Sequence, residues 1–257
     1  MIILIDWNIF VFRSIFAWES AKEKSVPPTY TALSMLLGTL KRIHCHPDDT
    51  FILAIDSPMG SWRKKIDNAY KANRKADREK HDIDWKQMFR DFDQLVQKID
   101  RTSPFHVMKI DYMEADDIIA TACKYFKDDE VVIISSDSDY EMLVAYPNVK
   151  VFSPSKKKYK EIANPYKVLA SKIEKETADN LITPINTKED YDRRLKIVDL
   201  IHLPTDIEEI VLSFLTRLKD KDYDLSQFPF KTLRNRFMQI YDEKPKRRNK
   251  NEDCCIF

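Results

Sequence analysis

The run MIILID, residues 1–6, consists of five apolar residues followed by an aspartate. The same pattern returns as FILAID at residues 51–56, and the run VVIISS occupies residues 131–136. FHVMKI (105–110) and VKVF (149–152) have the same apolar character. Short runs rich in β-branched or aromatic residues are typical of strands that are buried on both faces. We therefore predict a strand in each of these runs.

Between the predicted strands, apolar residues recur at helical spacing. These segments are YTALSMLLGTLKRIH (30–44), WKQMFRDFDQLVQKI (85–99) and ADDIIATACKYF (115–126). Strands that alternate with helices favour an α/β fold with a mostly parallel sheet flanked by helices.

From about residue 165 onward, the strand pattern gives way to helical patterns alone. The four segments are YKVLASKIEKET (166–177), DYDRRLKIVDLIHL (190–203), DIEEIVLSFLTRL (206–218) and FKTLRNRFMQIY (230–241). We predict an α/β core over residues 1–164 and a helical C-terminal region with a basic tail over residues 165–257.

The composition of the 257-residue chain limits the classes of function. It has 43% hydrophobic and 33% charged residues with a net charge of +1, which is typical of a soluble globular protein with a charged surface. Only two glycines occur, Gly38 and Gly60, which excludes a glycine-rich phosphate loop. The four cysteines lack the spacing of a zinc site or a secreted disulfide framework. We predict a cytoplasmic protein that is not bound to a membrane.

Acidic residues follow three of the predicted strands. Asp6 ends the first run, Asp56 ends the second, and Asp137 follows VVIISS. The carboxyl ends of parallel strands meet at one edge of a sheet, so these three carboxylates are expected to lie together. Asp139 can face the same side as Asp137, because alternate residues of an extended turn point the same way.

The segment YMEADDI, residues 112–118, begins a helix with the carboxylates of Glu114, Asp116 and Asp117. Glu114 and Asp117 are three residues apart and share a helix face. Two such charges about 4 Å apart repel by about 4 kcal/mol at an effective dielectric constant near 20. A bound cation would compensate for this repulsion.

Each acid taken alone is more readily explained as a helix cap, a turn former or half of an ion pair. Taken together, they form a set of oxygen ligands without His or Cys, which favours Mg²⁺ or Mn²⁺ over zinc. We predict a site for two ions about 3.5 to 4 Å apart, a geometry that supports phosphodiester hydrolysis.

The segment SWRKKIDNAYKANRKADREK, residues 61–80, carries eight cations and three anions. We call it the basic arm. Because it follows Asp56 closely, its charge is expected to neutralise phosphates beside the metal site, and Trp62 or Tyr70 to stack on bases. A solvated charged helix is the alternative. The residues expected to contact nucleic acid are Arg63, Lys64, Lys65, Tyr70, Lys71, Arg74 and Lys75.

Six motifs, in this order along the chain, resemble the 5′-nuclease (flap endonuclease) superfamily, and within it the T-even phage RNase H branch. They are LIDWN, AIDSP, SWRKKIDNAYKANRK, YMEADDIIA, SSDSDYEML and YPNVKVFSP. The resemblance covers about residues 1–160. It implies a PIN-like (Rossmann-like) α/β core, a basic helical arch over residues 61–80 and two divalent metal ions. It also implies 5′-to-3′ exonuclease and flap-endonuclease activity on RNA primers and DNA flaps.

The resemblance further assigns roles to individual residues. Those that match the first metal cluster are Asp6, Asp56, Glu114, Asp116 and Asp137. Asp117 and Asp139 match acids between or near the second metal. Tyr70, Lys71 and Arg74 match arch residues that contact the scissile phosphate and the threaded 5′ strand. Lys71, Arg74 and Asp137 are therefore expected to act in catalysis.

Two further metal ligands are expected in KETADNL, residues 175–181, which resembles the acidic motif that follows the core in this superfamily. Asp179 matches one acid, and Glu176 stands where Asp is usual. Glu is longer by a methylene, so the second metal is expected to be displaced or bound through water. The stretch that follows has no glycine, so we expect the helix-three-turn-helix that grips duplex DNA to be deleted.

The expected function is a 5′ nuclease that uses Mg²⁺ or Mn²⁺ to remove primers or flaps during replication. Its expected substrates are DNA and RNA–DNA hybrids with 5′ ends or flaps. The alternatives are a non-catalytic nucleic-acid-binding replisome scaffold and a single-strand ribonuclease of PIN type. We expect a monomer in the cytoplasm, the host's if the chain is phage-encoded, assisted by a single-stranded-DNA-binding protein or another replisome component. The terminal CCIF has the form of a prenylation box, but a solvated terminus is the favoured interpretation.

Overall fold

The computed structural model describes residues 1–174 and 184–241. Within these residues, six strands form one sheet in the order β3-β2-β1-β4-β5-β6. Their bounds are β1 (Ile2–Asp6), β2 (Thr50–Ala54), β3 (Phe105–Met108), β4 (Val131–Ile134), β5 (Val149–Ser153) and β6 (Lys158–Tyr159). β1 to β5 are parallel, and β6 pairs antiparallel with β5. The predicted mostly parallel sheet is therefore confirmed.

Helices flank the sheet, as the alternating pattern predicted. Before residue 130 they are α1 (Trp7–Glu19), α2 (Pro28–Arg42), α3 (Arg74–Glu79), α4 (Trp85–Thr102) and α5 (Ala115–Tyr125). In the C-terminal region they are α6 (Pro165–Glu174), α7 (Lys188–Val198), α8 (Thr205–Leu215) and α9 (Lys231–Tyr241). Helix α1 was missing from the segments expected to be helical. No helix in the described part of the chain is long and apolar enough to cross a membrane.

The central strand β1 lies between β2 and β4, and the chain order reverses direction across the sheet at this point. Ile5 is aligned with Leu53 of β2 and with Ile134 of β4. The carboxyl ends of the three strands are therefore level with one another. In an open α/β sheet, the crevice beyond such a switch point is where ligands bind.

Alternate residues of β1 point to opposite faces of the sheet, which divides the core in two. Ile3 and Ile5 pack in one hydrophobic cluster with helices α1, α2, α4 and α9. Ile2 and Leu4 pack in the other cluster with α5 and α8. Because both faces of the strand are covered, its sequence is apolar throughout rather than alternating.

The C-terminal helices complete both clusters, as the predicted packing on the α/β core requires. Val211 and Leu215 of α8 lie in the cluster with α5, and Phe237 of α9 lies in the other. The helix predicted over residues 190–203 was wrong at its C-terminal end, because α7 ends at Val198. The side chain of Asp199 accepts hydrogen bonds from the backbone N–H groups of residues 201 and 202, which favours a turn over further helix. The division at residue 164 stays a prediction.

The basic arm is helical only near its two ends, which corrects the expected helical arch. A 3₁₀ turn spans Trp62–Lys65, and α3 covers Arg74–Glu79. Between them, Asp67 forms a side-chain turn, its Oδ1 accepting from the backbone N–H of residue 69 at 2.8 Å. Lys71 has a φ of 56°, in the left-handed region that a continuing helix excludes.

Candidate metal centre and nucleic-acid interface

The carboxylates at the strand ends are held in place by neutral donors. Asp6 is the last residue of β1, and its Oδ2 accepts a hydrogen bond from the Ser135 hydroxyl at 3.0 Å. The same hydroxyl oxygen accepts from the backbone N–H of Asp137 at 3.0 Å. Asp56 Oδ1 accepts from the backbone N–H of Ala115, in the first turn of α5, at 2.8 Å. The strand ends and the start of α5 are thereby joined around one point.

A cavity of about 510 Å³ opens at this edge of the sheet. Four of the predicted acids line it, namely Asp6, Asp56, Asp116 and Asp137. Cations of the basic arm line the same cavity, namely Lys71, Arg74 and Arg78. The fold therefore brings Asp6, Asp56 and Asp137 together, as the strand-end pattern predicted, and places Asp116 of α5 and the cations of the arm beside them.

Burial and neighbouring carboxylates destabilise the charges of two acids of the cavity, Asp6 and Asp116. Burial and then the charges of Asp56 and Asp137 raise the pKa of Asp6 to about 7. Burial raises the pKa of Asp116 well above its ordinary value, with Glu114, Asp137 and Asp139 adding to the effect. A divalent cation is the partner that would offset this repulsion, and carboxylate oxygens are the donors that Mg²⁺ and Mn²⁺ prefer.

Glu114 is buried and lies in a separate network next to the cavity. Its Oε2 accepts hydrogen bonds from the hydroxyls of Ser61 and Tyr70, at 3.0 and 2.8 Å. Arg63 Nη1 lies 3.1 Å from the same oxygen, and Lys71 Nζ contacts Oε1. Burial opposes ionisation, but Lys71 and Arg63 outweigh it and hold the pKa of Glu114 below its ordinary value. The basic arm is thereby tied to the start of α5.

Asp117 is fully buried behind this network, and its expected place between or near the second metal stays a prediction. Its Oδ2 accepts from Trp62 Nε1 at 3.1 Å and from the backbone N–H of Glu114 at 2.8 Å. Its Oδ1 lies 2.8 Å from Arg63 Nη1. Asp117 thus caps α5 and anchors the arm.

Arg63 has only 1% of its surface exposed. The prediction that it contacts nucleic acid is therefore wrong. Besides the two carboxylates, it binds the backbone carbonyl of Ile197 in α7, with Nε donating at 2.8 Å. Arg63 therefore links three elements: the base of the arm, the start of α5 and the C-terminal helices.

The expected stacking of Trp62 or Tyr70 on bases is wrong for the same reason. The two side chains are 7% and 4% exposed, and their polar atoms bind Asp117 and Glu114. The exposed cations of the arm are Lys64, Lys65, Arg74, Lys75 and Lys80. A second cavity of about 620 Å³ lies against the arm and includes Lys64, Arg74 and Lys75 in its lining.

Two lysines from outside the arm hold the loop that carries Asp137. Lys160 Nζ donates to the backbone carbonyl of Asp137 at 2.6 Å and pairs with Glu141 at 2.9 Å. Lys172 of α6 forms an ion pair with Asp139. Asp139 is therefore near Asp137, as predicted, but it already has a cationic partner.

In residues 1–174 and 184–241, no three acidic, His or Cys side chains are arranged so that they could hold a metal ion. The acids of the cavity are close enough to perturb one another, while Glu114 is drawn towards Lys71 and Arg63. The donor set fits a divalent cation in chemistry, and ligation would require these side chains to move together.

The aromatic part of the cavity lining was not predicted from the sequence. Phe12 and Phe16 of α1, with His81 and Trp85, line the same cavity as the acids. The spacing of four residues between Phe12 and Phe16, six and ten positions after Asp6, places both on one helix face and was the available signal. The contribution of residues 81 and 85 has no local signal.

The family model of the 5′-3′ exonuclease N-terminal resolvase-like domain matches residues 1–174. The chain belongs to this family. The match covers the whole α/β core, the basic arm and the acids that converge on the cavity. It ends at residue 174, so the expected ligands Glu176 and Asp179 lie beyond it. They also lie outside the described residues, as does the CCIF terminus.

Individual proteins are similar to part of the chain. Ribonuclease H of Enterobacteria phage T4 is 40% identical over 114 residues, which are 43% of this chain and 37% of the phage protein. A 5′-3′ exonuclease of Buchnera aphidicola is 26% identical over 159 residues, which are 60% of this chain and 52% of that enzyme. The chain therefore spans about half or less of the length of these relatives.

Solved structures of phage T5 nucleases share the fold of this family member. A T5 5′-exonuclease with bound divalent zinc has a TM-score of 0.58 at 16% identity, over 84% of this chain and 98% of that one. A T5 flap endonuclease in a pseudo-enzyme-product complex with DNA and metal ions has a TM-score of 0.56 at 15% identity, over 93% and 98%. Both likenesses establish the PIN-like α/β architecture.

Proposed function

We propose that this protein is a divalent-metal-dependent 5′ nuclease that hydrolyses phosphodiesters in flapped or primed nucleic acid. The observation that carries the proposal is the single cavity in which Asp6, Asp56, Asp116 and Asp137 face Lys71 and Arg74. A phosphodiester needs both kinds of group, because its charge must be neutralised while a water molecule is activated. The activities for which the relatives are named, ribonuclease H and 5′-3′ exonuclease, support the same reaction class.

The four acids of the cavity would hold the metal, Mg²⁺ or Mn²⁺, with Glu114 joining them. A bound divalent ion would supply Lewis-acid stabilisation of phosphate charge and a more acidic water. Ser135 and the backbone N–H of Ala115 orient Asp6 and Asp56 for this role. We propose two ions, the second held with Asp139 and with Glu176 and Asp179.

Lys71 and Arg74 would bind the scissile phosphate. Lys71 already lies against Glu114, with 11% of its side chain exposed, so it is ordered before substrate arrives. Arg74 is exposed at the start of α3 and has its planar guanidinium available for two parallel bonds to phosphate. Lys64, Lys65 and Lys75 extend the positive surface along the arm, where they would position the strand.

The test is cleavage of a 5′-labelled flapped duplex and of an RNA-primed DNA strand by the wild-type protein. Short 5′ products that require Mg²⁺ or Mn²⁺ and disappear with EDTA would support the nuclease. Binding of the flap without any product would overturn it in favour of a second function.

That second function is a non-catalytic nucleic-acid-binding scaffold. One feature of the site favours it. Glu114 is held in ion pairs with Arg63 and Lys71, and no three acidic, His or Cys side chains in the described part of the chain are arranged to hold a metal ion. A scaffold needs the cations of the arm but not the acids of the cavity. Substitution of the acids would then leave its nucleic-acid binding intact.

Mg²⁺ is expected to raise the melting temperature (Tm) of the wild-type protein. A ligand that binds only the folded state at about 100 times its Kd adds about 2.7 kcal/mol of stability. For a chain of this size, that corresponds to about 5 to 10 °C. Calorimetry in Mg²⁺ and in EDTA measures the difference. Asp128→Asn changes an acid at the opposite end of β4 and should keep the Mg²⁺-dependent increase in Tm, whereas Asp137→Asn should lose it. Equal Tm values for the wild type in Mg²⁺ and in EDTA would contradict the metal site.

DNA and RNA–DNA hybrids with 5′ ends or flaps are the substrates that we propose. The predicted deletion of the duplex-gripping motif would weaken the hold on duplex, so a single-stranded-DNA-binding protein or another replisome component would supply the missing affinity. We propose that a monomer carries out this work in the cytoplasm, the host's if the protein is phage-encoded.

A further inference from the structure

Two lysines hold the loop that carries Asp137 and Asp139, but they contact it in different ways. Lys160 Nζ donates to the backbone carbonyls of Ser136 and Asp137, at 3.3 and 2.6 Å. It therefore fixes the loop and leaves the carboxylate of Asp137 to the cavity. Lys172 instead contacts the carboxylate of Asp139 itself, at Oδ1. Asp139 does not line the cavity, although it is only two residues from Asp137.

The ammonium group of Lys172 has a second partner that fixes its position. Its Nζ lies 2.8 Å from Ser138 Oγ, to which it donates a hydrogen bond. The side chains of Lys172 and Asp139 are 20% and 27% exposed, so water and salt screen this ion pair less than a fully exposed one. Lys172 is therefore a resident positive charge at a carboxylate that is proposed to bind the second ion.

The negative charge of Asp139 is only partly compensated by this lysine. Burial and then the charge of Asp137 raise the pKa of Asp139, although Lys172 acts in the opposite direction. A divalent ion would bring twice the charge of an ammonium group. The two cations would also repel each other twice as strongly as two unit charges at the same separation. They therefore compete for Asp139.

The strand-end acids of the cavity have no such competitor at their oriented oxygens. Asp6 Oδ2 accepts from the Ser135 hydroxyl, and Asp56 Oδ1 accepts from the backbone N–H of Ala115. These donors are neutral, so they orient the carboxylates and leave their negative charge for an ion. The two parts of the metal centre are thus prepared differently, one by dipoles and the other by a full positive charge.

We propose that Lys172 occupies the place of the second divalent ion in the free protein, and that this ion binds only by displacing Lys172 from Asp139. Lys172 thereby sets the affinity of the second ion below that of the first. The inference rests on the proposed function, because it takes Asp139 as a ligand of the second ion. It adds a residue that determines when the metal centre is complete.

Binding of Mn²⁺ to the protein without nucleic acid tests the competition, with free Mn²⁺ measured by electron paramagnetic resonance. The wild type should bind one ion more tightly than the other. Lys172→Met should strengthen the weaker ion about 10-fold or more, the factor that corresponds to one charge-assisted hydrogen bond. It should leave the tighter ion nearly unchanged. Lys172→Arg keeps the positive charge and should behave like the wild type.

Lys167→Met is the matched control for the general loss of positive charge. Lys167 is exposed on the same helix, α6, five residues before Lys172. Its removal should change the affinity of both ions little, because it is exposed to solvent and screened by salt. The Tm of each variant in EDTA shows whether it is folded.

Chemical acetylation of the wild type tests the displacement without any substitution. In EDTA, Lys172 should react slowly with acetic anhydride, because its amine is held by Asp139 and Ser138. Mn²⁺ should raise its reactivity over the concentration range in which the weaker ion binds. Lys167 should react equally in both solutions. Mass spectrometry of the digested protein measures the two sites.

Three outcomes would overturn the competition: no change in the weaker ion for Lys172→Met, an equal gain for Lys167→Met, or Lys172 reactivity that is independent of Mn²⁺. In each case the tighter ion still binds and the wild type still cleaves the flap, so the proposed function survives. A wild type that binds no Mn²⁺ and cleaves nothing would instead overturn the proposed function together with this inference.

Discussion

An Asp137→Asn variant is expected to lose about 10³-fold or more of its cleavage rate, or about 4 kcal/mol in the activation barrier. Asp137 lies in the exposed loop after β4 and lines the cavity with Asp6, Asp56 and Asp116. Asparagine keeps the size of the side chain but removes the negative charge. A site that must hold a divalent cation loses one of its ligating charges.

The same substitution is expected to leave the metal-free protein at least as stable as the wild type. The charge of Asp137 contributes to raising the pKa of Asp6, so its removal relieves repulsion between the two carboxylates. Loss of activity without loss of stability separates a functional carboxylate from a structural one. Single-turnover cleavage in Mg²⁺ and calorimetry in EDTA measure the two quantities.

Asp128→Asn is the matched control for the change of charge. Asp128 is exposed and precedes β4, whereas Asp137 follows it, so the two acids lie beyond opposite ends of this strand. Cleavage by Asp128→Asn should equal that of the wild type. If Asp137→Asn also cleaved at the wild-type rate, the cavity would not be the catalytic site.

An Arg63→Met variant is expected to lose about 3 to 5 kcal/mol of folding stability, the usual result of removing one partner of a buried ion pair. Arg63 neutralises the buried carboxylates of Glu114 and Asp117 and binds the carbonyl of Ile197. Methionine fills part of the space but leaves both acids and the carbonyl without this donor. For a chain of this size, the Tm should fall by about 10 °C.

Lys64→Met controls for the loss of a cation at the neighbouring position, since Lys64 is exposed and should change the Tm little. Adding Asp117→Asn to Arg63→Met should restore part of the lost stability, because it removes a buried charge that has lost its partner. Equal Tm values for Arg63→Met and Lys64→Met would contradict the buried anchor. Thermal unfolding of the four variants in one buffer is sufficient.

The α/β fold and the positions of the strand-end acids follow from short-range patterns in the sequence. MIILID and FILAID predicted strands that end in carboxylates, and the structure places Asp6 and Asp56 at one edge of a parallel sheet. The prediction succeeded because both faces of these strands are buried, which makes the sequence apolar throughout. The order of the strands then fixes where their carboxyl ends meet.

The basic arm shows where short-range patterns fail. In SWRKK, Arg63 cannot be distinguished from Lys64 by composition or spacing, yet one is buried and the other exposed. The difference arises from Ile197, 134 residues further along the chain, whose backbone carbonyl accepts a hydrogen bond from the guanidinium. Burial of an arginine depends on such distant partners, so the sequence alone assigned it to the wrong role.

The sequence by itself determined the α/β class, the strand-end acids and the concentration of positive charge in the arm, because hydrophobic periodicity and charge are local properties. The tertiary structure alone decided which acids share a cavity and which are locked in ion pairs, because both depend on contacts between distant segments. It also placed Phe16 of α1 against Trp85 of α4 beside the acids. That juxtaposition exists only after the chain has folded.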